Sequence, residues 1–383
     1  MTRLAFIHNR FPAGGAERVT LDIARYLKSI GGYEVYVFVS HASDFADNSL
    51  KIIKVPSQSI PSRRSGCIER LVKELSIDIL IQISKSIYDI EGIRERTRCR
   101  VVLACHGELF WQRYSIMHNR QKHKFFWNFL YKKKYADGTL AERIARERTA
   151  NDYRNCDAYV VLCEEYKLQM ETALSIGADS HVVVIENSEQ IVPSPCLKKE
   201  KMILFCGRFE NWSKRIDRLL RIWKLVQDDM PEWSLDLVGD GPALEDMKAY
   251  AQQLALKRVK FEGRRSDVGA FYSRASVVCM TSQTEGWPLA LTEGQANGCI
   301  GVAFACSAGV VDVLSPDGEC GFLVKPFDEN AYATILKKIA SCSDEDLRSI
   351  RENGINKRRQ YSPEIISHKW KVLFDSLCEN EQV

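Results

Sequence analysis

KMILFCGRFENWSKRIDRLLRIWKLVQDDMPEWSLDLVG, residues 201–239, is the stretch that decides the fold class of this chain. It begins with a short apolar run typical of a buried strand, passes through a polar loop into a segment with helical spacing, and ends on a second apolar run. Parallel strands need a long crossover between them, usually a helix. The order strand, helix, strand therefore predicts a βαβ unit and an α/β fold with a parallel sheet.

The same alternation recurs along both halves of the chain. The runs that we predict as buried strands are, in chain order, RLAFIH, YEVYVFVS, IDILIQI, RVVLACH, AYVVLC, HVVVIEN, KMILFCG, WSLDLVG, VKFEG, SVVCMTS, CIGVAF and CGFLV. Segments with helical spacing, such as ERVTLDIARYLKSI and ALEDMKAYAQQLAL, separate them. This pattern predicts two doubly wound, Rossmann-like domains.

A linker is predicted at IVPSPCLKKEK, residues 191–201, where prolines and a charge run interrupt the pattern. The length of 383 residues suits two domains, since a domain usually has about 150 residues. We therefore predict an N-terminal domain over 1–190 and a C-terminal domain over 191–361. The stretch 362–383 has a helical apolar face but no strand to pair with, so we expect it to pack back on the first domain.

Composition favours a globular, cytoplasmic protein. Hydrophobic residues make up 45% of the chain and charged residues 27%, and no run reaches the roughly 18 apolar residues of a membrane span. The start, MTRLAFIHNR, lacks the long apolar region of a secretory signal. The 13 cysteines include no C-x-x-C pair, which argues against a disulfide framework and against a zinc site.

Ligands of open α/β sheets bind at the carboxyl ends of strands, so candidate residues should follow the predicted strands directly. Gly14 and Gly15 follow the first strand and would let backbone amides approach a phosphate, although such a pair more often forms an ordinary turn. Their spacing does not match the dinucleotide-binding fingerprint. His106 ends the run RVVLACH, and this position makes it a candidate although a lone histidine is commonly structural.

Two cations follow the first strand of the second half. Arg208 comes directly after KMILFCG, and Lys214 lies further along the same loop. Converging at a strand edge, they could hold a diphosphate without a metal ion, the arginine as a fork and the lysine as a point charge. The alternative is that both are solvated loop charges.

Two carboxylates flank a proline in TSQTEGWPLALTEGQANG, residues 281–298. Glu285 is predicted in the loop after a strand, and Glu293 in the helix that begins near Pro288. Backbone N–H groups at this helix start could meet anionic oxygens, while carboxylates accept hydrogen bonds from hydroxyl groups. A carboxylate at a helix N-terminus can also simply compensate the helix dipole.

Together these motifs resemble the glycosyltransferase family 4 module of GT-B enzymes. In the second half the resemblance rests on Gly207-Arg208 with Lys214, Val238-Gly239-Asp240-Gly241-Pro242, Val259 to Gly263, and Glu285-Gly286-Trp287-Pro288 with Glu293. In the first half it is looser and rests on Gly14-Gly15-Ala16-Glu17, His106-Gly107 and Ile185-Glu186-Asn187. It covers nearly the whole chain and is strongest from 201 to 330. Gly239 and Gly241 look like a strand-to-helix turn, so they are left out of the site.

The resemblance implies a GT-B architecture, in which two Rossmann-like domains face each other across a cleft. It implies that Arg208 and Lys214 neutralise the diphosphate of a nucleotide-sugar donor. Glu293 would bind the ribose hydroxyls, and Glu285 would bind a hydroxyl of the donor sugar. His106 matches a position implicated in sugar contact and catalysis. The expected catalytic residues are His106, Glu285, Arg208 and Lys214.

The resemblance also implies a diphosphate contact from the first domain through Gly14 and Gly15, and a contact between Arg264 and the base. The other donor-binding positions that it implies are Gly286, Trp287, Pro288 and Leu289. It implies retention of the anomeric configuration, with the charge of the leaving group stabilised electrostatically. No metal and no cofactor are expected, because the nucleotide-sugar is a substrate.

Some positions depart from the common family pattern. Trp287 stands where phenylalanine is more usual, Gly294-Gln295 replace a small and an apolar residue, and the loop FENWS before Lys214 is bulky. These departures bear on the identity of the donor more than on the class of reaction.

Asp344-Glu345-Asp346 is similar to the metal-binding D-x-D motif of other glycosyltransferases. It follows Ser343 at the start of a predicted helix, with Asp346 three residues on. This spacing predicts a helix cap rather than a metal site.

The segment WQRYSIMHNRQKHKFFWNFLYKKK, residues 111–134, is rich in basic and aromatic residues and contains no acid. Phe125, Phe126, Phe129 and Leu130 share a helical face, and Lys132 to Lys134 follow it. This pattern is typical of a helix on an anionic membrane surface, which would place the protein peripherally at the inner face of the membrane. A core helix with a basic exposed edge is the alternative.

The leading interpretation is a retaining glycosyltransferase that moves a sugar from a nucleotide-sugar, with UDP preferred because it is frequent in the family. The acceptor would be a glycan or a lipid-linked glycan in surface polysaccharide biosynthesis. One alternative is a GT-B nucleotide-sugar hydrolase or epimerase, which would form product without an acceptor. A nucleic-acid-binding protein, with the basic aromatic segment as its binding surface, is a weaker alternative, because residues 191–383 carry a net charge of −1; nucleic acid is therefore not an expected partner.

Overall fold

The structure is a computed structural model that describes residues 1–12, 15–42, 47–57, 61–83, 90–114, 138–177 and 180–379. The chain forms two compact units, one made of 1–188 with 363–383 and the other of 189–362. Among the helices of the described ranges, none is both long and apolar enough to cross a bilayer. Most of the segment 111–134 falls in 115–137, so the predicted membrane-surface helix lies outside the described residues.

The elements of the chain alternate between strands and helices. Those of the first unit up to residue 188 are β1 (Thr2–Phe11), α1 (Gly15–Ile30), β2 (Tyr33–Ala42), β3 (Lys51–Lys54), α2 (Pro61–Glu74), β4 (Ile79–Ile83), α3 (Ile93–Thr97), β5 (Arg100–Ala104), α4 (Thr139–Arg154), β6 (Ala158–Val161), α5 (Glu164–Leu174) and β7 (Val182–Val184). Those of the second unit are β8 (Glu200–Cys206), α6 (Ile216–Val226), β9 (Ser234–Val238), α7 (Leu244–Gln253), β10 (Val259–Gly263), α8 (Val268–Arg274), β11 (Ala275–Met280), α9 (Leu289–Ala296), β12 (Ile300–Phe304), α10 (Ala308–Leu314), β13 (Phe322–Val324), α11 (Glu329–Ser341) and α12 (Asp344–Arg359). The last helix, α13 (Pro363–Glu379), belongs to the first unit.

Each unit contains one parallel sheet, which confirms the predicted α/β class. The seven-stranded sheet has the order β3-β2-β1-β4-β5-β6-β7, and the six-stranded sheet has the order β10-β9-β8-β11-β12-β13. In each sheet the next two strands along the chain lie on one side of the first strand, and all later strands lie on its other side. The switch points therefore lie between β1 and β4 and between β8 and β11, and ligands of such sheets bind at switch points.

Every predicted strand is present, but β3 was missed. Its sequence, Lys51–Lys54, has two exposed lysines around two half-buried isoleucines, and it pairs only with β2 at the edge of the sheet. An edge strand has one unpaired side and needs no continuous apolar run, so the signal for a buried strand is absent here.

The core of the second unit forms where α6 covers the sheet. Leu219, Leu220 and Trp223 on this helix are almost completely buried, as the helical spacing of the segment predicts. The indole N–H of Trp223 donates to the carbonyl of Lys257 (2.8 Å), so burial leaves no unpaired polar atom on this side chain. Burial of each such side chain contributes about 2 kcal/mol and fixes α6, and with it the loop that precedes it.

The final helix α13 packs on α1 within the first unit. Trp370 and Phe374 bury its apolar face, and the hydroxyl of Tyr33 donates to Asp375. Lys369 also forms an ion pair with Glu186 (2.6 Å). The apolar face that lacked a strand partner in the sequence is thus covered by the first unit.

The Asp344-Glu345-Asp346 run is a helix start, as predicted. The backbone N–H of Asp346 donates to Ser343 Oγ (3.2 Å), and the Asp346 carboxylate accepts from the Ser343 N–H (3.0 Å). These two bonds form a capping box at the N-terminus of α12.

Candidate active site

The loops after β8 and β11 are joined at the switch point of the second unit. The N–H of Gln283 donates to the carbonyl of Ser213 (2.6 Å), and Thr281 Oγ1 donates to the carbonyl of Arg215 (3.1 Å). These two bonds fall on the residues on either side of Lys214. The loop after β8 is therefore held against the loop that carries Glu285.

Lys214 and Glu285 meet between these bonds as an ion pair. Lys214 Nζ lies 2.7 Å from Glu285 Oε1, and the side chains are 27% and 10% exposed. Ser282 Oγ donates to the same carboxylate oxygen (2.6 Å). Because both charges are largely withdrawn from water, their attraction is stronger than that of a surface pair.

Arg208 lies at the start of the same loop and is mostly exposed. Its Nε lies 3.0 Å from Glu210 Oε1, and the Arg208 side chain is 69% exposed. The other oxygen of Glu210 accepts from Ser213 Oγ (2.9 Å). The structure thus places Arg208 at the predicted strand edge but pairs it with Glu210 on the surface.

Glycines allow the turn after β9 to approach this loop. Gly239 has φ +141°, and a Cβ there would lie 1.8 Å from the carbonyl oxygen of Gly207. Gly241 has φ +156°, and its Cβ would lie 2.5 Å from the carbonyl oxygen of Phe209. Only glycine fits so close a backbone contact, which agrees with the prediction that these residues form a turn. Phe209 itself is fully buried, so part of the bulky FENWS loop is core.

Glu293 lies in α9 and is half-buried near the end of β8. Burial, the Cys206 thiol and the Glu293 carboxylate raise the pKa of Tyr272 well above its ordinary value. Burial raises the pKa of Cys206 too, with opposite contributions from the charges of Glu293 and Lys214. Cys206 therefore lies within the electrostatic reach of both predicted site residues.

The residues around Glu293 that depart from the family pattern pack inward. A Cβ on Gly294 would lie 2.7 Å from the Val278 side chain on β11, so α9 lies close to the sheet. Gln295 is buried and donates to the carbonyls of Val313 (3.2 Å) and Cys320 (2.7 Å). Both residues fix α9 rather than face a ligand.

The loop between the two glutamates offers fewer amides than the sequence predicts. The Leu289 N–H donates to the carbonyl of Trp287 (3.0 Å), and Pro288, the residue before α9, has no N–H. The amide contacts with a ligand that the sequence predicts at Pro288 and Leu289 are therefore not offered by this loop. The Trp287 ring is buried, with its centroid 5.8 Å from that of Tyr361, so this departure from phenylalanine faces the interior of the unit.

Within the second unit, the predicted residue Arg264 lies away from this pair of loops. Arg264 is exposed after β10, an edge strand that β9 separates from β8. Gly14 lies outside the described residues, and Gly15 is the first residue of α1. The structure does not bring Arg264 next to Lys214.

His106 follows β5 at the carboxyl edge of the first sheet. Its Nδ1 is fully buried and has no hydrogen bond of good geometry, although part of the residue remains exposed. Burial lowers the pKa of His106 to about 4, while the Asn187 side chain acts in the opposite direction. The imidazole is therefore neutral near pH 7, with Asn187 as its buried neighbour.

His8 and Glu17 share this edge, and neither was among the predicted site residues, although Glu17 belongs to the Gly14-Gly15-Ala16-Glu17 motif. His8 Nε2 lies 2.9 Å from Thr20 Oγ1, and His8 Nδ1 lies 3.7 Å from Glu17 Oε1. Burial would raise the pKa of Glu17, but the bond with His8 and the charges of His8 and His106 hold it below its ordinary value. His8 is the last residue of the predicted run RLAFIH, as His106 is of RVVLACH, so the same strand-end rule could have found it, although β1 itself continues to Phe11.

Comparison with known proteins relates the whole chain to one enzyme class. The family model for glycosyltransferase family 4 matches residues 13–188, and that for glycosyl transferases group 1 matches residues 187–357. A glycosyltransferase of Haemophilus influenzae is 30% identical over 332 residues, which cover 83% of this chain and 84% of the relative. A Campylobacter jejuni α-1,4-N-acetyl-D-galactosaminyltransferase, named for an undecaprenol-linked glycan substrate, is 23% identical over 381 residues, 97% of this chain and 98% of the relative.

Solved structures share the fold over almost the entire length. The lipopolysaccharide outer core galactosyltransferase WaaB, in its apo form, has a TM-score of 0.72 at 18% identity and covers 98% of this chain and 99% of its own. Anabaena HepE in complex with UDP and glucose has a TM-score of 0.74 at 17% identity, with 98% and 100% covered. At such identities the likeness shows the fold alone.

We predict that His106 makes the stability of the protein depend on pH. Because the pKa of His106 is about 4 when folded and 6.5 ordinarily, the unfolded chain binds the proton more tightly between these values. The free energy of unfolding should therefore fall by about 2 kcal/mol from pH 7 to pH 5 through this group. Urea unfolding of the wild type and of His106→Asn at both pH values measures the effect. The difference in the free energy of unfolding between the two proteins should change by about 2 kcal/mol between these pH values. A difference that does not change with pH would contradict the lowered pKa of His106.

Proposed function

The chain belongs to the GT-B glycosyltransferases of the group 1 and family 4 type, and we propose that it transfers a sugar from a UDP-sugar, with retention of configuration, in the assembly of a surface polysaccharide. The acceptor is a glycan or a lipid-linked glycan. The observation that carries the proposal is the Lys214–Glu285 pair (2.7 Å) at the switch point of the second sheet. The names of two relatives support it, since HepE is described with UDP-glucose and the Campylobacter enzyme with an undecaprenol-linked glycan.

Lys214 acts on the leaving group in this proposal. As the glycosidic bond breaks, negative charge builds on the diphosphate, and a cation that is already fixed in place stabilises that charge without reorganisation. Glu285 holds Lys214 in place before the donor binds. Arg208 is a mobile second cation, because its exposed side chain can turn from Glu210 to a phosphate.

The two glutamates divide the donor between them. Glu285 accepts a hydrogen bond from a hydroxyl of the sugar, and Glu293, on α9, accepts from the ribose. This division follows the positions of the two residues, since one lies in the loop beside Lys214 and the other in the helix beside Cys206. The affinity for free nucleotide would therefore depend on Glu293, and the rate of sugar transfer would depend on Glu285.

His106 serves as a neutral hydrogen-bonding group for the sugar. With a pKa of about 4 it carries no charge near pH 7, so it can both donate and accept. A charged imidazolium beside the sugar would be costly, because positive charge develops at the anomeric carbon as the diphosphate departs.

We predict that Glu293→Gln weakens the binding of UDP by about tenfold or more, because a charged acceptor of two hydroxyl groups is lost. Glu285→Gln should lower kcat strongly and leave the affinity for UDP nearly unchanged. Calorimetry with UDP and steady-state kinetics with a donor separate the two effects. Equal losses of UDP affinity in both variants would contradict the assignment of Glu293 to the ribose and Glu285 to the sugar.

We predict that transfer proceeds in excess EDTA and that Lys214→Ala lowers kcat by about a hundredfold, more than it weakens donor binding. Lys214→Arg should restore activity only in part, because a planar fork replaces a point charge in a loop crowded by Phe209. Initial rates with and without EDTA, and thermal melting as a check on folding, measure this. Activity that needs magnesium, together with a Lys214→Ala variant close to wild type, would overturn the role of Lys214.

We propose that residues 111–134 bind an anionic membrane, which would bring a lipid-linked acceptor to the enzyme. Replacement of Lys132, Lys133 and Lys134 by glutamate should weaken binding to anionic vesicles, since each basic residue near such a surface contributes about 1 kcal/mol. Sedimentation with vesicles of phosphatidylglycerol and phosphatidylcholine measures it, with pure phosphatidylcholine as the control. Equal sedimentation of the wild type and the triple variant would contradict the proposal.

A further inference from the structure

Arg218, on α6, is a buried cation beneath the loop that carries Glu285. It is 6% exposed. Its Nη1 donates to the carbonyl of Thr281 (3.3 Å), and its Nη2 donates to Gln283 Oε1 (2.6 Å). A guanidinium can hold two groups at fixed angles because its donors form a rigid fork. Arg218 therefore fixes two alternate residues of one short loop.

An aromatic ring covers the other side of this guanidinium. The Arg218 Cζ lies 3.9 Å from the centroid of the Phe327 ring, a distance at which cation and ring attract each other. Phe327 follows β13 and packs in turn on Phe304, with a centroid distance of 5.7 Å. The ring thus closes the space into which the guanidinium could move.

The loop residues that Arg218 holds are the same ones that bind the loop of Lys214. Thr281 donates to the carbonyl of Arg215, and Gln283 donates to the carbonyl of Ser213. Each is therefore bonded on one side to Arg218 and on the other to a residue next to Lys214. A shift of either residue would move Glu285 relative to Lys214.

We propose that Arg218 is a positioning residue for sugar transfer: it holds residues 281–285 in the register that sets Glu285 against Lys214. This inference rests on the proposed function of that pair. Arg218 acts only through the loop and touches no substrate, since it is buried under it. Glu293 lies in α9, outside the loop, so the affinity for free UDP should not depend on Arg218.

The energetics of burial separate this role from a purely structural one. A buried cation loses its hydration, so its replacement by methionine removes that cost and offsets part of the loss of the hydrogen bonds to Thr281 and Gln283. Arg218→Met should therefore lower the melting temperature only modestly while losing turnover. A structural role would lower the melting temperature and the affinity for UDP together.

The experiment compares Arg218→Met, Arg218→Lys and Gln283→Ala with Arg221→Met as a matched control. Arg221 lies about one turn further along α6 and forms partly buried ion pairs with Glu329 and Asp217, neither of which belongs to residues 281–285. Kinetics with a UDP-sugar, calorimetry with UDP, and hydrogen exchange of the peptide around 281–288 are measured on the whole protein. Gln283→Ala removes one acceptor of Arg218 and keeps the test valid where Arg218→Met does not fold.

We expect kcat to fall by about tenfold to a hundredfold in Arg218→Met, since a misplacement of about 1 Å can cost that much. UDP affinity should stay within about threefold, a change of under about 1 kcal/mol. Exchange at 281–288 should rise, Arg218→Lys should recover part of the rate, and Arg221→Met should match the wild type.

Wild-type kcat and exchange in Arg218→Met, or equal losses of kcat and UDP affinity, would overturn the positioning role. A wild-type protein that transfers no sugar from any UDP-sugar would instead contradict the proposed function. Hydrogen exchange still decides the inference in that case, because faster exchange confined to 281–288 supports the hold on the loop and unchanged exchange refutes it.

Discussion

The parallel pairing of β8 with β11 is the interaction on which the candidate site depends. Val277 pairs with Ile203, and Val278 pairs with Leu204, in the middle of the second sheet. Strands that are distant in sequence thus end side by side, and their loops emerge at one edge. The Lys214–Glu285 pair follows from that neighbourhood, since two backbone and side-chain bonds hold the loops on either side of it. A shift in the register of these strands would separate the two charges.

Close packing restricts the conformations of the loops after β8 and β11, as the hydrogen bonds between these loops also do. The turn after β9 approaches Gly207 so closely that only a glycine fits at position 239, and Gly294 lets α9 lie against β11. Phe209 and Trp287 are aromatic residues in the loops themselves, yet both are buried in the unit. The residues that make this chain unlike the common family pattern are therefore largely those that fill its core. Their variation need not alter the groups that face a ligand.

Local patterns in the sequence predict the strands, the helices and the capping box at Ser343, because each is determined by near neighbours. They also place Lys214 and Glu285 at strand ends, but they do not show that the two side chains touch across the intervening chain. Edge strand β3 escaped because it is only half-buried, and Arg218 escaped because a cation in an amphipathic helix resembles a solvated charge. The environment of His106 depends on Asn187, which only the folded sheet brings near. What the sequence cannot supply is thus the partner that arrives from a distant element.

The position of α13 bears on the order in which the chain can fold during synthesis. The second unit is continuous in sequence, so all of its strands and helices have left the ribosome once residue 362 has emerged. The first unit is made earlier but lacks the helix that covers α1 until Trp370 and Phe374 arrive. Until then an apolar face of α1 stays open to water and to other chains. Of the two units, the first is thus the last to be completed, because it closes only when α13 packs on α1.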